Sequence, residues 1–352
     1  MTAPAEMLAD PTDHTEGLSI SRVVWTRFTH HRVAMIAGIV LTLTIILVYS
    51  SIGIGPIPGW WKWSYTQTSD ISLAMGRPTM HLQGWKVIFG DHPFGQDEIG
   101  RDIFARVMRG AQQSLMVMVV MGLIATSLGV VVGSVSGYFR GRLDNLLMRT
   151  TEVFIAIPAL VVTAVIGRSV VNGGALLLAI VLGLFLWPPL ARLVRAEFLS
   201  LREREFVDAA RVAGASDFSI MFKHILPNAM GVIIVNATLL MAIATILEAS
   251  LSFLGFGIQR PDVSLGNLIN EYGSAFATRP WLFWWPGSFI ITFALSINLI
   301  GDGLRDAFDP RQRRIPKSKD FLKADTGASR AAAEAERIAL EAHGHHADGE
   351  ET

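Results

Sequence analysis

Hydrophobic residues along this 352-residue chain fall into long blocks that are nearly free of charge, with polar segments between them. A soluble core would instead space its apolar positions at helical or strand periods. Each block is long enough to cross a bilayer as a helix, which takes roughly 17–25 residues. The pattern therefore predicts an all-α polytopic membrane protein with six transmembrane helices. The predicted spans are Val33–Tyr49, Ser114–Gly137, Thr151–Gly167, Ala175–Leu193, Ala229–Leu247 and Pro286–Leu304.

The segments around these spans carry local signals of their own. Basic residues before the first span could mark a signal peptide, but no A-x-A-like exit follows, so an uncleaved span is favoured. Pro158 predicts a kink in the third span. Val170–Gly174 predicts a tight turn, and Tyr138–Arg149 predicts a short basic loop. The glycine-rich stretch His92–Gly110 predicts a short amphipathic helix that runs into the second span.

Six spans place both termini on the same side of the membrane. Most of the 30 lysines and arginines lie on that side, so the excess of positive charge predicts that both termini are cytoplasmic. The resulting parts are an N-terminal segment (1–32), a first transmembrane helix (33–53), an extracytoplasmic loop with an amphipathic helix (54–112), a five-helix core (113–305) and a cytoplasmic tail (306–352).

A polar, charged island, Glu205–Asn228, separates the fourth and fifth spans. Its first half has helical spacing, which predicts one apolar face made of Phe206, Ala209, Ala210 and Ala213. Gly214 then ends the predicted helix, because glycine readily adopts the left-handed backbone conformation.

The second half of the island predicts another short helix. Ser216 is its expected N-cap, and Pro227 is expected to close it because the residue before a proline, Leu226, is biased away from helix. The apolar face of this second helix is predicted to contain Phe218, Met221, Phe222 and Ile225. Two amphipathic helices joined at a glycine are typical of a docking surface for another protein. They are equally typical of a loop that lies on lipid headgroups, and the pattern alone leaves both interpretations open.

Catalytic motifs are absent from the sequence. There is no G-x-x-x-x-G-K-[ST] and no cysteine, so the chain carries neither a P-loop nor a thiolate metal site. Three histidines in the tail, His343, His345 and His346, could bind metal weakly, although a solvated end is the favoured interpretation. Since the chain has no P-loop, energy from ATP would have to come from a partner.

Few polar residues fall inside the predicted spans. Glu152 and Glu248 lie at the edges of spans, and Asn298 near the middle of the sixth span is expected to form a hydrogen bond between helices. The spans thus lack the ionisable residues that mark a proton-coupled carrier. A separate charge cluster before the second span, consisting of Asp97, Arg101, Asp102 and Arg106, is interpreted as a structural ion-pair network.

Several stretches resemble one family. Asp208-Ala209-Ala210, Gly214 and Ile225-Leu226-Pro227 are similar to the EAA loop of bacterial ABC importer permeases, with Asp in place of the usual Glu. His92–Val107, Leu247–Pro261 and Gly301–Arg311 agree with it, and all of them resemble the C-type permease subunit of dipeptide, oligopeptide and nickel importers. The departures are Gln112-Gln113, where an arginine is common, a long first loop and an extended tail. The resemblance covers about Arg22 to Arg314.

This resemblance implies a type I ABC importer transmembrane domain in the cell inner membrane. The implied partners are a homologous second permease, two ABC ATPase subunits that hold ATP and Mg, an extracytoplasmic solute-binding protein and membrane lipid, but no nucleic acid. The subunit itself is expected to have no cofactor, metal or catalytic residue. Peptides are the expected substrate, with nickel, haem or glutathione as alternatives and an ATP-independent carrier or channel as the competing class. The residues implied to couple the subunit to its ATPase are Phe206, Asp208, Ala209, Ala210, Arg211, Ala213, Gly214, Ala215, Leu226 and Pro227.

Overall fold

The apolar blocks fold into long helices in the computed structural model, which describes residues 20–83, 86–169 and 174–308. The helices in these ranges are α1 (Ile20–His30), α2 (Arg32–Ile52), α3 (Ile103–Phe139), α4 (Gly141–Ala156), α5 (Ala159–Ser169), α6 (Gly174–Leu186), α7 (Pro188–Leu201), α8 (Glu205–Val212), α9 (Asp217–Ser219), α10 (Leu226–Phe253), α11 (Leu265–Tyr272) and α12 (Trp281–Phe308). A π-helical turn, Ile220–Ile225, joins α9 to α10. Strands occur in two short antiparallel hairpins, β1 (Gly53–Ile54) with β2 (Ile57–Pro58), and β3 (His81–Gln83) with β4 (Lys86–Ile88).

Four continuous helical stretches in the described ranges are long and apolar enough to cross a membrane. They are Arg32–Ile52, Ile103–Phe139, Asp217–Phe253 and Trp281–Phe308. Two further pairs of helices are bent, α4 with α5 by 70° and α6 with α7 by 43°. Counting each bent pair as one span gives the six predicted spans, and the helical class of the fold is confirmed.

The predicted kink at Pro158 is confirmed, and a helix does run into the second span, but its first residues, Ile103–Met108, are all buried rather than amphipathic. The α4–α5 bend lies at Ile157–Pro158, and α3 runs without interruption from Ile103. The predicted loop Tyr138–Arg149 is wrong, since most of it lies in α4. The predicted turn at Val170–Gly174 and the tail beyond Phe308 lie outside the described residues, apart from Gly174.

The charged residue Asp144 can lie in helix α4 because its carboxylate is hydrogen-bonded within the protein. Asp144 accepts two hydrogen bonds from Arg195 of α7, Nε–Oδ1 at 2.6 Å and Nη2–Oδ2 at 2.7 Å, and a third from Ser136 of α3. Polar residues that are paired in this way do not need the solvent that a loop would provide.

Close packing of α3 against α7 depends on glycines. A Cβ atom on Gly133 would lie 2.5 Å from the carbonyl oxygen of Ala191, and one on Gly137 would lie 2.7 Å from the Cβ of Phe198. Only a residue without a side chain permits this approach, as in other tightly packed membrane helices. The packing places the ends of α3 and α7 beside the 205–228 element (residues Glu205–Asn228), which is the candidate site.

Candidate functional site

Helix α8 forms the first half of the 205–228 element and has two different faces. Val207 and Ala210 are buried in a cluster that includes Ile220 and Ile225 from the following turn. On the other side Phe206 is exposed, and Val212 is 90% exposed. The prediction that Phe206, Ala209, Ala210 and Ala213 share one apolar face is therefore wrong in part. Of these four residues only Ala210 faces the interior, because Val207 rather than Phe206 anchors the helix.

The end of α8 is the locally encoded feature that the sequence predicts best. Gly214 has φ +79°, so the left-handed exit is confirmed. The amide of Gly214 donates to the carbonyl of Arg211 at 2.9 Å, and the amide of Ala215 donates to that of Ala210 at 3.0 Å. This pair of bonds is a Schellman motif, which satisfies carbonyl groups that the helix end would leave unpaired.

The second half of the element begins as predicted and continues differently. The Ser216 hydroxyl accepts a hydrogen bond from the amide of Ser219 at 3.3 Å, which confirms the N-cap. The prediction that Pro227 closes this helix is wrong, since α10 starts at Leu226 and contains Pro227 in its first turn. A proline is tolerated in the first turn because the backbone amides there have no hydrogen-bond partner within the same helix. The amide of Leu226 donates to the carbonyl of Met221, and this bond closes the wider π-helical turn that joins α9 to α10.

The predicted apolar face of the second helix is also divided. Met221 and Ile225 are buried, whereas Phe218 and Phe222 are exposed, with ring centroids 4.4 Å apart. The outward apolar residues of the element are Phe206, Ala209, Val212, Ala213, Phe218 and Phe222, and we call them the exposed apolar set. Sequence reasoning left Val212 out of the site. The three-residue spacing from Phe206 to Ala209 continues to Val212, and this spacing could have identified Val212 as part of the outward face.

One ion pair of the element lies within α8. Asp208 accepts a hydrogen bond from Arg211 at 3.0 Å, and both side chains are exposed. An exposed ion pair of this kind contributes at most about 1 kcal/mol to stability. The pair can therefore exchange its partners at low cost when another protein approaches.

Two spans hold the element through hydrogen bonds. The hydroxyl of Tyr138, in the last turn of α3, donates to Asp217 Oδ1 at 2.5 Å. The guanidinium group of Arg202, which follows α7, donates to the Tyr138 carbonyl and lies 5.5 Å from the Tyr138 ring. Because Tyr138 is itself buried, these contacts join the element to the ends of α3 and α7.

The charge cluster at the other end of α3 is an ion-pair network, as predicted. Asp97 accepts from Arg101 Nε at 2.6 Å and from Arg106 Nη1 at 3.3 Å, and Glu271 accepts from the same two arginines at 2.7 and 2.8 Å. Burial would raise the pKa of Glu271, but the bonds from Arg106 and Arg101 outweigh it and lower that pKa below its usual value. We call this cluster of Asp97, Arg101, Arg106 and Glu271 the Asp97 network.

Asp102 belongs to a neighbouring set of contacts and not to the arginine pairs. It caps α3 by accepting from the amide of Ala105 at 2.8 Å, and it also bonds to Trp61 and His92, each at 2.8 Å. Burial raises the pKa of Asp102 in spite of these donors.

Two expectations about polar residues in the spans are wrong. The Asn298 amide donates to the carbonyl of Ala294 in its own helix at 2.9 Å rather than to another helix. Glu248 is fully buried inside α10, where it accepts from Ser114 at 2.6 Å and from Ser252 at 2.8 Å. Glu248 was expected just beyond the end of the fifth span, but α10 continues to Phe253, so Glu248 lies inside the helix.

Metal ligands do not converge in the described ranges, which contain no group of three or more His, Cys, Asp or Glu side chains that could hold an ion. The three tail histidines lie outside those ranges. The features on which function can rest are thus a set of helices long enough to span a membrane and a polar element with outward apolar side chains, as in a multi-pass membrane protein.

Comparison with known proteins defines the class further. Residues 129–314 match the family described as binding-protein-dependent transport system inner membrane component. The chain is 36% identical over 303 residues to the oligopeptide transport system permease protein OppC of Mycobacterium tuberculosis, covering 86% of this chain and 98% of that protein. It is 33% identical over 299 residues to OppC of Bacillus subtilis, covering 85% and 92%. Among solved structures, a chain of the inward-facing MetNI methionine ABC transporter is similar with a TM-score of 0.48 and 22% identity, covering 59% of this chain and 98% of that one.

This chain belongs to the family of binding-protein-dependent transport system inner membrane components. It is a multi-pass inner-membrane permease subunit of an ABC transporter with the type I importer fold. Members of this family work with ATPase subunits and with a solute-binding protein. The resemblance drawn from the sequence motifs is confirmed.

Proposed function

We propose that this chain is the permease subunit of an ATP-driven importer that moves dipeptides or oligopeptides across the cytoplasmic membrane. The observation that supports this substrate is the 33–36% identity to proteins named oligopeptide permeases, over more than four fifths of this chain. The complete importer would contain a homologous second permease, two ATPase subunits and an extracytoplasmic solute-binding protein. Nickel importers share the same sequence motifs, so a nickel complex is the second candidate substrate.

The 205–228 element is our candidate for the contact with one ATPase subunit. Apolar side chains exposed to water, such as Val212 and Phe218, favour burial against a partner, and the exposed Asp208–Arg211 pair can form polar contacts at the rim. In this assignment the element and both termini face the cytoplasm, and the bound ATP and Mg belong to the ATPase subunits. The five-helix core (113–305) would form the permease body, with the first helix (33–53) and the loop (54–112) added before it.

Movement of the element would reach three spans at once. The element is continuous with α10, bonded to α3 through Tyr138, and held near α7 through Arg202. Closure of the ATPase pair on ATP would shift the element as a unit and tilt these helices between inward-facing and outward-facing states. The exposed apolar set would supply affinity for the ATPase subunit, and Gly214 would set the angle between the two halves of the 205–228 element.

Reconstitution of the complete complex in proteoliposomes tests the coupling role. Gly214→Pro should abolish peptide uptake while the complex still assembles, because proline cannot adopt the φ of +79° at Gly214. Asp208→Arg should reduce uptake, because it reverses the charge of an exposed contact at the rim. Uptake at the normal rate in both variants would refute the coupling role.

Crosslinking tests the contact itself. The chain contains no cysteine, so a single Ala213→Cys change places one thiol on the exposed side of the element. It should crosslink to the ATPase subunit in the assembled complex. Ala210→Cys is the matched control, because Ala210 is buried and should not react. Failure of Ala213→Cys to crosslink in an assembled complex would contradict the docking assignment.

The substrate requires a separate experiment. The solute-binding protein that copurifies with the complex should carry peptides that mass spectrometry can sequence. A nickel complex in its place would support the second candidate and exclude peptides.

A further inference from the structure

A cavity of about 600 Å³ lies between the end of α2 and the first membrane turns of α3. Its volume is within the range of known small-ligand sites. Ile45 and Tyr49 line it from α2, and Met116, Val119 and Val120 line it from α3. None of the functions considered above uses this cavity.

The lining changes from apolar to polar along the two helices. Ile45, Met116, Val119 and Val120 surround the deeper part, within the spans. Arg109, Gln112 and Gln113 lie on the turns of α3 that lead into the span. This gradient matches an amphipathic molecule whose polar part is at the membrane surface and whose apolar part is in the bilayer.

Several polar groups at the shallow end have unused hydrogen-bonding capacity. Tyr49 lies in the lining of the cavity, and its side chain is only partly buried. Gln113 is only 5% exposed, and its Oε1 atom has no partner in the described part of the chain. Buried polar groups are nearly always hydrogen-bonded, so the unpaired Gln113 oxygen leaves room for a donor of a bound molecule, and the Tyr49 hydroxyl is placed to donate to one.

The charge of the site is balanced. Arg109 donates to both oxygens of Asp262, from Nε at 2.7 Å and from Nη2 at 3.1 Å, whereas its Nη1 has one long contact of 3.4 Å with Gln112. The guanidinium group has five N–H donors, so it retains capacity for an oxygen acceptor. A neutral site with spare donors suits a ligand that has phosphate and ester oxygens but little net charge.

We propose that this cavity binds one glycerophospholipid. Its phosphate and glycerol ester oxygens accept hydrogen bonds from Arg109 and Tyr49, and one acyl chain lies along Ile45, Met116 and Val119. Because the cavity opens between two membrane-spanning helices, lipid is the molecule that reaches it directly from the bilayer. The bound lipid fills the gap between α2 and α3 and so holds the first span against the rest of the bundle.

Native mass spectrometry of the detergent-purified complex tests this proposal after incubation with phosphatidylethanolamine vesicles. Val119→Trp fills the cavity and should reduce the occupancy of one bound lipid at least tenfold. Val131→Trp is the matched control, because Val131 is an exposed residue of the same helix outside the lining, and it should retain the lipid. Tyr49→Phe removes only a hydroxyl, and it should weaken lipid retention by up to about tenfold, as expected for one neutral hydrogen bond.

Three results would overturn the proposal. Equal lipid occupancy in the Val119→Trp and Val131→Trp variants would show that the cavity holds no specific lipid. Displacement of the bound molecule by short peptides would identify a substrate site instead. Loss of the second permease from the Val119→Trp complex, with the Tyr49→Phe complex unchanged, would identify a subunit interface.

Discussion

The Asp97 network and the 205–228 element lie at opposite ends of α3 and look alike in sequence, since both are charged and punctuated by glycine. In the Asp97 network each carboxylate accepts from both Arg101 and Arg106, and Arg106 is 3% exposed. In the 205–228 element the single pair Asp208–Arg211 is exposed, and apolar side chains such as Val212 point outward.

The difference separates charge that stabilises the fold from a surface left for a partner. Buried ions need partners within the chain, because desolvation makes an unpaired ion costly. Exposed apolar residues have no such requirement, and a cluster of them indicates an interaction surface. Burial of the ion pairs and exposure of apolar side chains, rather than charge density, therefore distinguish the two regions.

The largest expected effect comes from breaking the Asp97 network. Arg106→Met leaves Asp97 and Glu271 short of one partner each, and removal of one member of a buried pair costs about 3–5 kcal/mol. The thermal unfolding midpoint of the purified chain in detergent should fall accordingly. Arg260→Met is the control, because Arg260 also bonds to Glu271 but is 73% exposed, and it should cost less than about 1 kcal/mol. Equal shifts in the two variants would mean that the network does not stabilise the fold.

The next effect compares two valines of α8. Val212→Asp should leave the unfolding midpoint unchanged but weaken ATPase binding about tenfold, or about 1.4 kcal/mol, because Val212 is exposed. Val207→Asp places a carboxylate at a position with 0% exposure, so it should lower the unfolding midpoint instead. Unfolding and binding of the ATPase subunit to the chain in nanodiscs are both measurable. Normal ATPase affinity of Val212→Asp would contradict the proposed docking surface.

Features encoded by a few neighbouring residues were predictable from the sequence. The left-handed Gly214 and the N-cap Ser216 follow from local backbone preferences, and the apolar blocks follow from the thickness of the membrane. The family motifs identified the class of protein because they are specific combinations of such local signals.

Features that depend on tertiary packing were not predictable. Val207 and Phe206 are both apolar, and only the packing of α8 against Ile220 and Ile225 decides which one is buried. Pro227 lies inside a helix because a π-helical turn precedes it. No residue type in the sequence predicts this turn. In the same way, Asp102 bonds to Trp61 and His92 because the loop folds back on α3.

Two glycines with the same backbone conformation sharpen the comparison. Gly100 has φ +80° and Gly214 has φ +79°, so alanine is strained at both positions. At Gly100 a Cβ atom would also lie 1.9 Å from the carbonyl oxygen of Ser69, whereas at Gly214 it would meet no atom within 4 Å. Gly214→Ala should therefore cost only about 1–2 kcal/mol from the backbone, and Gly100→Ala should cost more. Chemical denaturation of the two variants measures the difference, and equal costs would mean that the Gly100 loop can move away.

The smallest expected effect tests whether the 205–228 element moves with α3. Tyr138→Phe removes the hydroxyl that donates to Asp217, and the loss of one hydrogen bond costs about 0.5–1.5 kcal/mol. If this bond transmits movement, the reconstituted complex should hydrolyse ATP at a near-normal rate while it transports fewer peptides per ATP. Asp217→Ala removes the acceptor, and combining it with Tyr138→Phe should add little to either single change, since both break the same contact. Additive losses of transport would show that the two residues act separately, and then α10 alone would connect the element to the spans.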